Sequence, residues 1–356
     1  MTDRADEYVD RLVDEAALRA YLEAELGPAD SFAVERHGEG HSNETLFVEW
    51  GDRDLVVRRP PPGETADTAH DVLREYRVMH ALQDTAVPVP ETLAACEDHD
   101  VVGSDFYVMA RVPGDVLRDD EPERFADPGA RERVGEELVD TLAAVHDLDY
   151  EAVGLGEFGR PQGYTQRQVD RWRQQLEWAF EVTSDEREVP ELDRVGDWLA
   201  ANVPQTHPET LVHGDYKLDN VVFAPGTPPE LAAVLDWEMA TLGDPRADLG
   251  WMLSYWRDPK DPDPVVEDLA NRFVERDGYP SRRDLVERYE AATGIVYTDD
   301  RFYRSLAVYK LAALGEMFFR RHLEGNADDP MYPLMEDRVP ALAERAGRII
   351  DGDEPL

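Results

Sequence analysis

The 356-residue chain is 42% hydrophobic and carries seven tryptophans and fourteen tyrosines, which permits a substantial core and excludes a disordered acidic polymer. Asp and Glu total 78 against 37 Lys and Arg, and the resulting formal charge of -41 excludes generic binding to nucleic acid or to an anionic membrane surface. The single cysteine, Cys96, excludes an internal disulfide and any multi-cysteine metal site.

The basic residues are nearly all arginine. A surface this acidic repels itself unless counterions screen it, which reads as adaptation to concentrated salt, as in a halophilic microbe. Residues 1–10 are acidic and lack the apolar segment of a signal peptide. No apolar run approaches the length of a membrane-spanning helix, so a cytoplasmic location is expected.

In chain order, apolar spacing predicts a first helix over Glu15–Leu26 that stops at Gly27-Pro28. Strands are predicted over 32–35, 45–50 and 55–58. The segment Gly38-Glu39-Gly40-His41-Ser42-Asn43 separates the first two, and Gly51-Asp52 is a turn between the second and third. Pro60, Pro61 and Pro62 end the third strand, because proline cannot continue a central ladder. A helix over 67–83 follows, with Val72, Tyr76, Met79 and Leu82 on its apolar stripe, and Phe106–Ala110 is a further short strand. Near Pro113-Gly114 the pattern changes from mostly β to mostly helical. Helices are predicted over 131–148, 166–182 and 191–201, and short strands over Thr210–Val212 and 231–235. A largely helical remainder ends in a long apolar helix over 301–323 with Gly325 just past it. The elements imply an α+β protein with a small β-rich lobe, 1–112, and a larger helical lobe, 113–356.

Both short strands of the second half run into polar residues. The first feeds His213-Gly214-Asp215-Tyr216-Lys217-Leu218-Asp219-Asn220, and the second ends in Asp236-Trp237-Glu238. Asp and Asn after a strand are ordinary turn formers, but two such clusters after otherwise apolar strands point to chemistry. Adjacent, hairpin-like strands would bring Asp215, Asn220 and Asp236 together. That trio suits phosphoryl transfer, since Mg²⁺ takes one or two protein oxygens and fills its remaining positions with phosphate and water. Asp215 is then left to orient an acceptor hydroxyl and receive its proton.

The loop from His213 to Asn220 resembles the catalytic loop of the aminoglycoside phosphotransferase-like kinases, the aminoglycoside phosphotransferase and choline kinase type. Leu235-Asp236-Trp237-Glu238 is similar to that family's metal-binding motif, and Gly243-Asp244-Pro245-Arg246-Ala247-Asp248-Leu249-Gly250 to the segment that follows it. Upstream, Val56-Val57-Arg58-Arg59-Pro60-Pro61, Glu75 and Phe106-Tyr107-Val108-Met109 extend the resemblance, which spans roughly 32–323. The combination is similar in particular to the branch related to the kinase-like domains of some acyl-CoA dehydrogenases. The resemblance implies a two-lobed protein-kinase-like fold, ATP in the cleft, Mg²⁺ on its phosphates and a small-molecule hydroxyl acceptor. It implies Asp215 as the catalytic aspartate, Asn220 and Asp236 as metal ligands, Asp248 as a brace for the loop backbone and His213 as a residue holding the loop together. Lys217 falls either on the γ-phosphate or at a solvated loop edge.

In the first lobe, Gly38 and Gly40, with Ser42 and Asn43, are candidates to cover the phosphates, because glycines let backbone N–H groups approach closely. No Gly-Lys-Ser/Thr follows, so this is not a P-loop. Where family members commonly place a phosphate-pairing lysine, the strand carries Arg58 and then Arg59, with Glu75 on the next helix. Strand alternation puts Val57 and Arg59 on one face and Arg58 on the other, and leaves open which face meets the nucleotide. Met109 and Ala110 fall where the chain passes between lobes and are candidates to meet the adenine through their backbone. Trp251, Tyr255, Trp256 and Tyr309 read chiefly as core.

The expected function is an ATP- and Mg²⁺-dependent kinase acting on a small-molecule hydroxyl, with a hydroxy acid or hydroxyacyl thioester as the favoured acceptor. The alternative is a nucleotide-binding pseudokinase or interaction module, against which Asp215, Asn220 and Asp236 argue. A protein kinase would need an Ala-Pro-Glu-type segment after Asp248, which is missing, and a metal hydrolase a richer ligand set.

Overall fold

The computed structural model describes residues 12–37, 43–61, 72–264, 266, 271–325 and 329–356. The smaller lobe is built on β1 (Phe32–His37), β2 (Glu44–Trp50), β3 (Arg53–Arg59), β4 (Thr92–Cys96) and β5 (Phe106–Ala110), paired antiparallel in the order β1-β2-β3-β5-β4. Helix α1 (Glu15–Leu26) begins where the Asp14 carboxylate accepts the Ala16 and Ala17 amides and ends at Gly27, whose φ of 85° suits glycine alone. Its Leu18 and Leu22 pack with Leu46, Val48, Leu55, Val57, Phe106 and Val108 on one face of the sheet. Helix α2 (Val72–Leu82) packs with Val56, Tyr107 and Met109 of the opposite face, and this second core continues into the larger lobe. The period of two along β3 therefore sorts its side chains between a core belonging to the small lobe and the inter-lobe face. A short helix, α3 (His99–Val102), precedes β5.

The larger lobe comprises α4 (Pro128–His146), α5 (Tyr164–Thr183), α6 (Pro190–Ala201), β6 (Thr210–Val212), β7 (Val221–Phe223), β8 (Leu231–Val234), β9 (Thr241–Gly243), α7 (Pro245–Tyr255), α8 (Arg282–Thr293), α9 (Asp300–Leu323) and α10 (Met335–Asp351). Two expectations are corrected. The strands predicted as neighbours do not pair: β6 pairs with β9, and β8 with β7, each antiparallel. β7 and β8 form a local hairpin across a proline-rich turn, and β9 returns past β6 after the turn that carries Asp236. The Leu235 N–H donates to Asn220 O at 2.8 Å and extends the β7–β8 ribbon, while the two ribbons are stitched together by His213, just past β6, whose Nε2 lies 2.8 Å from Leu235 O.

The chain also does not finish on the long apolar helix. α10 packs against α9 and buries Val339, Leu342, Ala343, Ala346, Ile349 and Ile350. Its signal was masked by Pro340, which sits inside it and reads in isolation as a helix breaker.

Candidate active site

The loop after β6 is held by its own backbone. Asp248, at the start of α7 and 1% exposed, accepts the His213 amide at 2.6 Å through Oδ2 and the Gly214 amide at 2.8 Å through Oδ1. His146 Nε2 lies 3.3 Å from Asp248 Oδ2, and His146 Nδ1 2.7 Å from the Tyr289 hydroxyl. Burial works against the Asp248 charge, but His146, His213 and the Gly214 amide outweigh it and hold its carboxyl below the usual range. His213 is fully buried; its Nε2–H donates to Leu235 O at 2.8 Å and its Nδ1 accepts the Asp215 N–H at 3.2 Å. Both ring nitrogens are spent on backbone, so His213 acts as a rivet between the two ribbons. Gly214 has a φ of 86°, and a Cβ there would lie 2.7 Å from Met239 O, so the loop admits no other residue at that position without rearrangement.

Downstream, a single 3-10 turn over Leu218–Asn220 carries Asn220 back under Asp215. Asn220 Nδ2 donates to Asp215 Oδ2 at 2.7 Å and to Asp215 O at 2.8 Å, which leaves Oδ1 as its remaining polar atom. Lys217 Nζ lies 3.2 Å from both Asp215 oxygens and 5.2 Å from the centre of the Tyr255 ring, in a largely buried position rather than at a solvated edge. Asp236 follows β8 with φ 63° and ψ 59°, a left-handed backbone uncommon outside glycine. Strain of this kind is kept where the surroundings over-determine a residue's aim.

The smaller lobe meets this floor through β3. Arg58 points into the cleft, with Nη2 3.4 Å from Glu75 Oε2 and 3.7 Å from Asp236 Oδ1. Burial opposes the Arg58 charge, and Glu75, Tyr107 and Asp236 outweigh it, so the guanidinium is held more firmly protonated than usual. Burial also pushes Glu75 up, to about 7, with Asp236 and Glu238 adding to the rise and Arg58 opposing it. Arg59 goes the other way and is buried under the sheet, donating to Pro60 O at 3.0 Å, Val102 O at 2.6 Å and Leu12 O. The question left open by alternation is thereby decided: the inter-lobe face of β3 is the Val56 and Arg58 face.

Asn43 reaches across the cleft, its Nδ2 3.4 Å from Glu238 Oε2. Gly38, Gly40 and Ser42 lie outside the described residues. Met109 packs its side chain into the inter-lobe core, and the Ala110 N–H donates to Glu91 O at 2.8 Å. Trp251, Tyr255, Trp256 and Tyr309 are all buried. One residue at the site was missed from sequence, Lys310 of α9, whose Nζ donates to Gly214 O at 2.7 Å. Its signal was there, as one of only three lysines in a chain whose other basic residues are arginines, set inside an apolar helix.

The sequence profile of the phosphotransferase enzyme family matches residues 33–285, a span that holds Arg58, Glu75, the loop from His213 to Asn220, Asp236 and Asp248 but neither Tyr289 nor Lys310. The chain belongs to this family. As a phosphotransferase family member it is 32% identical to a Ralstonia eutropha protein assigned provisionally to the aminoglycoside phosphotransferases, with a TM-score of 0.80 over 96% of this chain and 99% of that one. It shares its fold with choline kinase from Cryptosporidium parvum, at a TM-score of 0.63 and 10% identity over 96% of this chain and 97% of that one. It is also 34% identical to mouse acyl-CoA dehydrogenase family member 10 and to rat acyl-CoA dehydrogenase family member 11, over 95% and 93% of this chain. The chain spans 30% and 42% of those two relatives' own lengths. Family and fold agree: the profile is that of phosphotransferase enzymes, and the architecture is a two-lobed, kinase-like α+β one.

Proposed function

We propose that this phosphotransferase is an ATP- and Mg²⁺-dependent kinase that moves the γ-phosphoryl group onto a hydroxyl of a small molecule. The reading is carried by one observation: Arg58 Nε, Asp236 Oδ1 and Asn43 Oδ1 are buried at the lobe junction without a hydrogen-bond partner. Each such atom costs about 1–3 kcal/mol if left unsatisfied, so three at one place favour a polar ligand there. In this reading residues 1–112 bind the nucleotide, with Arg58, set by Glu75, on its phosphates, and residues 113–356 supply the catalytic loop and the acceptor site.

The donor set fits a hard cation. Asp236 offers a buried carboxylate oxygen and Asn220 an amide oxygen, while no group of three His, Cys, Asp or Glu among the described residues would hold a metal alone. Mg²⁺ bound there would offset the charge of the phosphate oxygens that complete its shell. Asp215 accepts the hydroxyl proton as the acceptor oxygen bonds to the γ-phosphorus and the bond to the β-phosphate oxygen breaks, releasing ADP. The dehydrogenase names of the relatives support a hydroxy acid or hydroxyacyl thioester as acceptor. The acidic surface supports a salt-rich cytoplasm as the working medium. No helix among the described residues is long and apolar enough to cross a membrane.

The test is acceptor-dependent ADP formation in high KCl with Mg²⁺–ATP, across hydroxy acids, their thioesters and amino alcohols. Stimulation by the first two classes is expected. ATP binding without turnover on any acceptor would favour a pseudokinase, a reading to which the Arg58–Asp236 contact at 3.7 Å lends some weight by tying a proposed metal ligand to a cation. In the same assay conditions Arg58→Met is expected to weaken ATP binding by about tenfold to a hundredfold, the range for a lost hydrogen bond to a charged group. Arg58→Lys should fall between, since it keeps the charge and loses the planar fork. Equal calorimetric affinities in all three proteins would remove Arg58 from the nucleotide site.

A further inference from the structure

Lysine is rare in this chain: Lys217, Lys260 and Lys310 stand among 37 basic residues. Lys260 is exposed, whereas the other two converge on the loop that carries Asp215. Lys310, in the middle of α9, approaches from below. Its Nζ donates to Gly214 O at 2.7 Å, touches Met239 Sδ at 3.5 Å, and lies 3.9 Å and 5.8 Å from the centres of the Trp251 and Trp172 rings. Among the described residues no carboxylate pairs with it. A buried ammonium without a carboxylate is expensive, and the other charges that α9 buries are paired, Arg304 with Asp300 and Glu316 with Arg187. Retaining a charge there makes sense where the charge has work at the loop.

The Gly214 carbonyl belongs to the same planar peptide as the Asp215 N–H. His213 Nδ1 accepts that N–H at 3.2 Å while Lys310 holds the carbonyl, so the plane leading into Asp215 is gripped at both ends. We propose that Lys310 is a positioning residue of the catalytic loop, whose ammonium holds the Gly214–Asp215 peptide plane and thereby aims the Asp215 carboxylate. The proposal rests on the phosphotransferase reading of this site.

A pH dependence follows. Burial pulls Lys310 down to about 8; Asp215 of the loop and Asp248 of α7 oppose the fall, and Lys217 of the loop and Arg171 of α5 add to it. The neutral amine is a weaker donor and loses its attraction to the indole faces. Transfer therefore declines as pH rises through about 8. The contribution of Lys310 to stability moves the opposite way. A folded-state value below the roughly 10.4 of free lysine means that the unfolded chain holds more protons between the two, so stability from this group rises with pH there. Activity lost while the fold gains is a signature that a merely structural lysine does not produce.

The experiment pairs a direct titration with kinetics. Labelling lysine with ¹³C at Cε gives three signals in this chain, one of which disappears in Lys310→Met. That signal is expected to titrate near 8, whereas Lys217, paired with Asp215, should titrate above the ordinary lysine range. Lys310→Met, which keeps the length and apolar stem, should lower kcat by about tenfold to a hundredfold, the scale of a small misplacement of a reacting group, with KM for ATP little changed and the alkaline limb gone. If the variant misfolds, the parent alone still decides, because transfer that stays constant while the lysine signal near 8 titrates would overturn the proposal. A parent that transfers no phosphoryl group overturns the proposed function and this role together. An active parent whose folded Lys310→Met variant keeps both kcat and the alkaline limb overturns the role of Lys310 alone.

Discussion

Asp215→Asn is expected to lower the rate of acceptor-dependent phosphoryl transfer by about 10²–10⁴-fold, the contribution typical of a positioned general base. ATP affinity should change by only a few-fold, since the groups assigned to the nucleotide, Arg58 and Asp236, belong to other elements. Asparagine matches aspartate in shape, and its carbonyl can still accept from Asn220 Nδ2, which lies 2.7 Å from Asp215 Oδ2. What is lost is a second anionic oxygen, and with it the acceptor for the hydroxyl proton. The salt link from Lys217 Nζ, at 3.2 Å from both oxygens, also weakens. Steady-state kinetics, ATP calorimetry and a melting curve on the same preparation check the three parts. Retained transfer in a folded variant would end the assignment of Asp215 as the base.

The second large effect falls on stability. Asp248→Ala removes a buried carboxylate that accepts two backbone amides and faces His146. Leaving those donors buried and unpaired is expected to destabilise the fold by about 3–5 kcal/mol, as when one partner of a buried charged pair is removed. Because Asp248 is held below the ordinary carboxylate range in the folded chain, its contribution is fully present above the unfolded value near 4 and is lost as pH falls through the folded value. Melting temperatures between pH 3 and 7 should therefore fall less steeply for Asp248→Ala than for the parent over the most acid part of the range. Parallel curves would show that Asp248 does not carry that acid sensitivity.

The two predictions differ in how they were reached. The grouping of Asp215 with Asn220 was legible because they stand five positions apart across one 3-10 turn, so their contact is a local conformational matter. Helix boundaries were legible for the same reason: Asp14 and Gly27 cap α1 through bonds to neighbours a few residues away. By contrast, the route by which Asp236 joins Asn220 was misread. Local pattern shows that β6 and β8 are strands, but partner choice depends on which strand arrives beside them, and here both chose others.

The sequence by itself determined most elements, though not β7, β9 or α10, together with the acidic arginine-rich composition and the polar loop between short apolar strands, all of which depend on residues close together along the chain. Only the tertiary structure decided which of Arg58 and Arg59 faces the cleft, because alternation is symmetric until α2 and the larger lobe cover one side of β3. It alone placed Lys310 under the loop, a contact across 96 residues, since a side chain on a helix buried on nearly every face has no preferred partner until the surrounding elements pack.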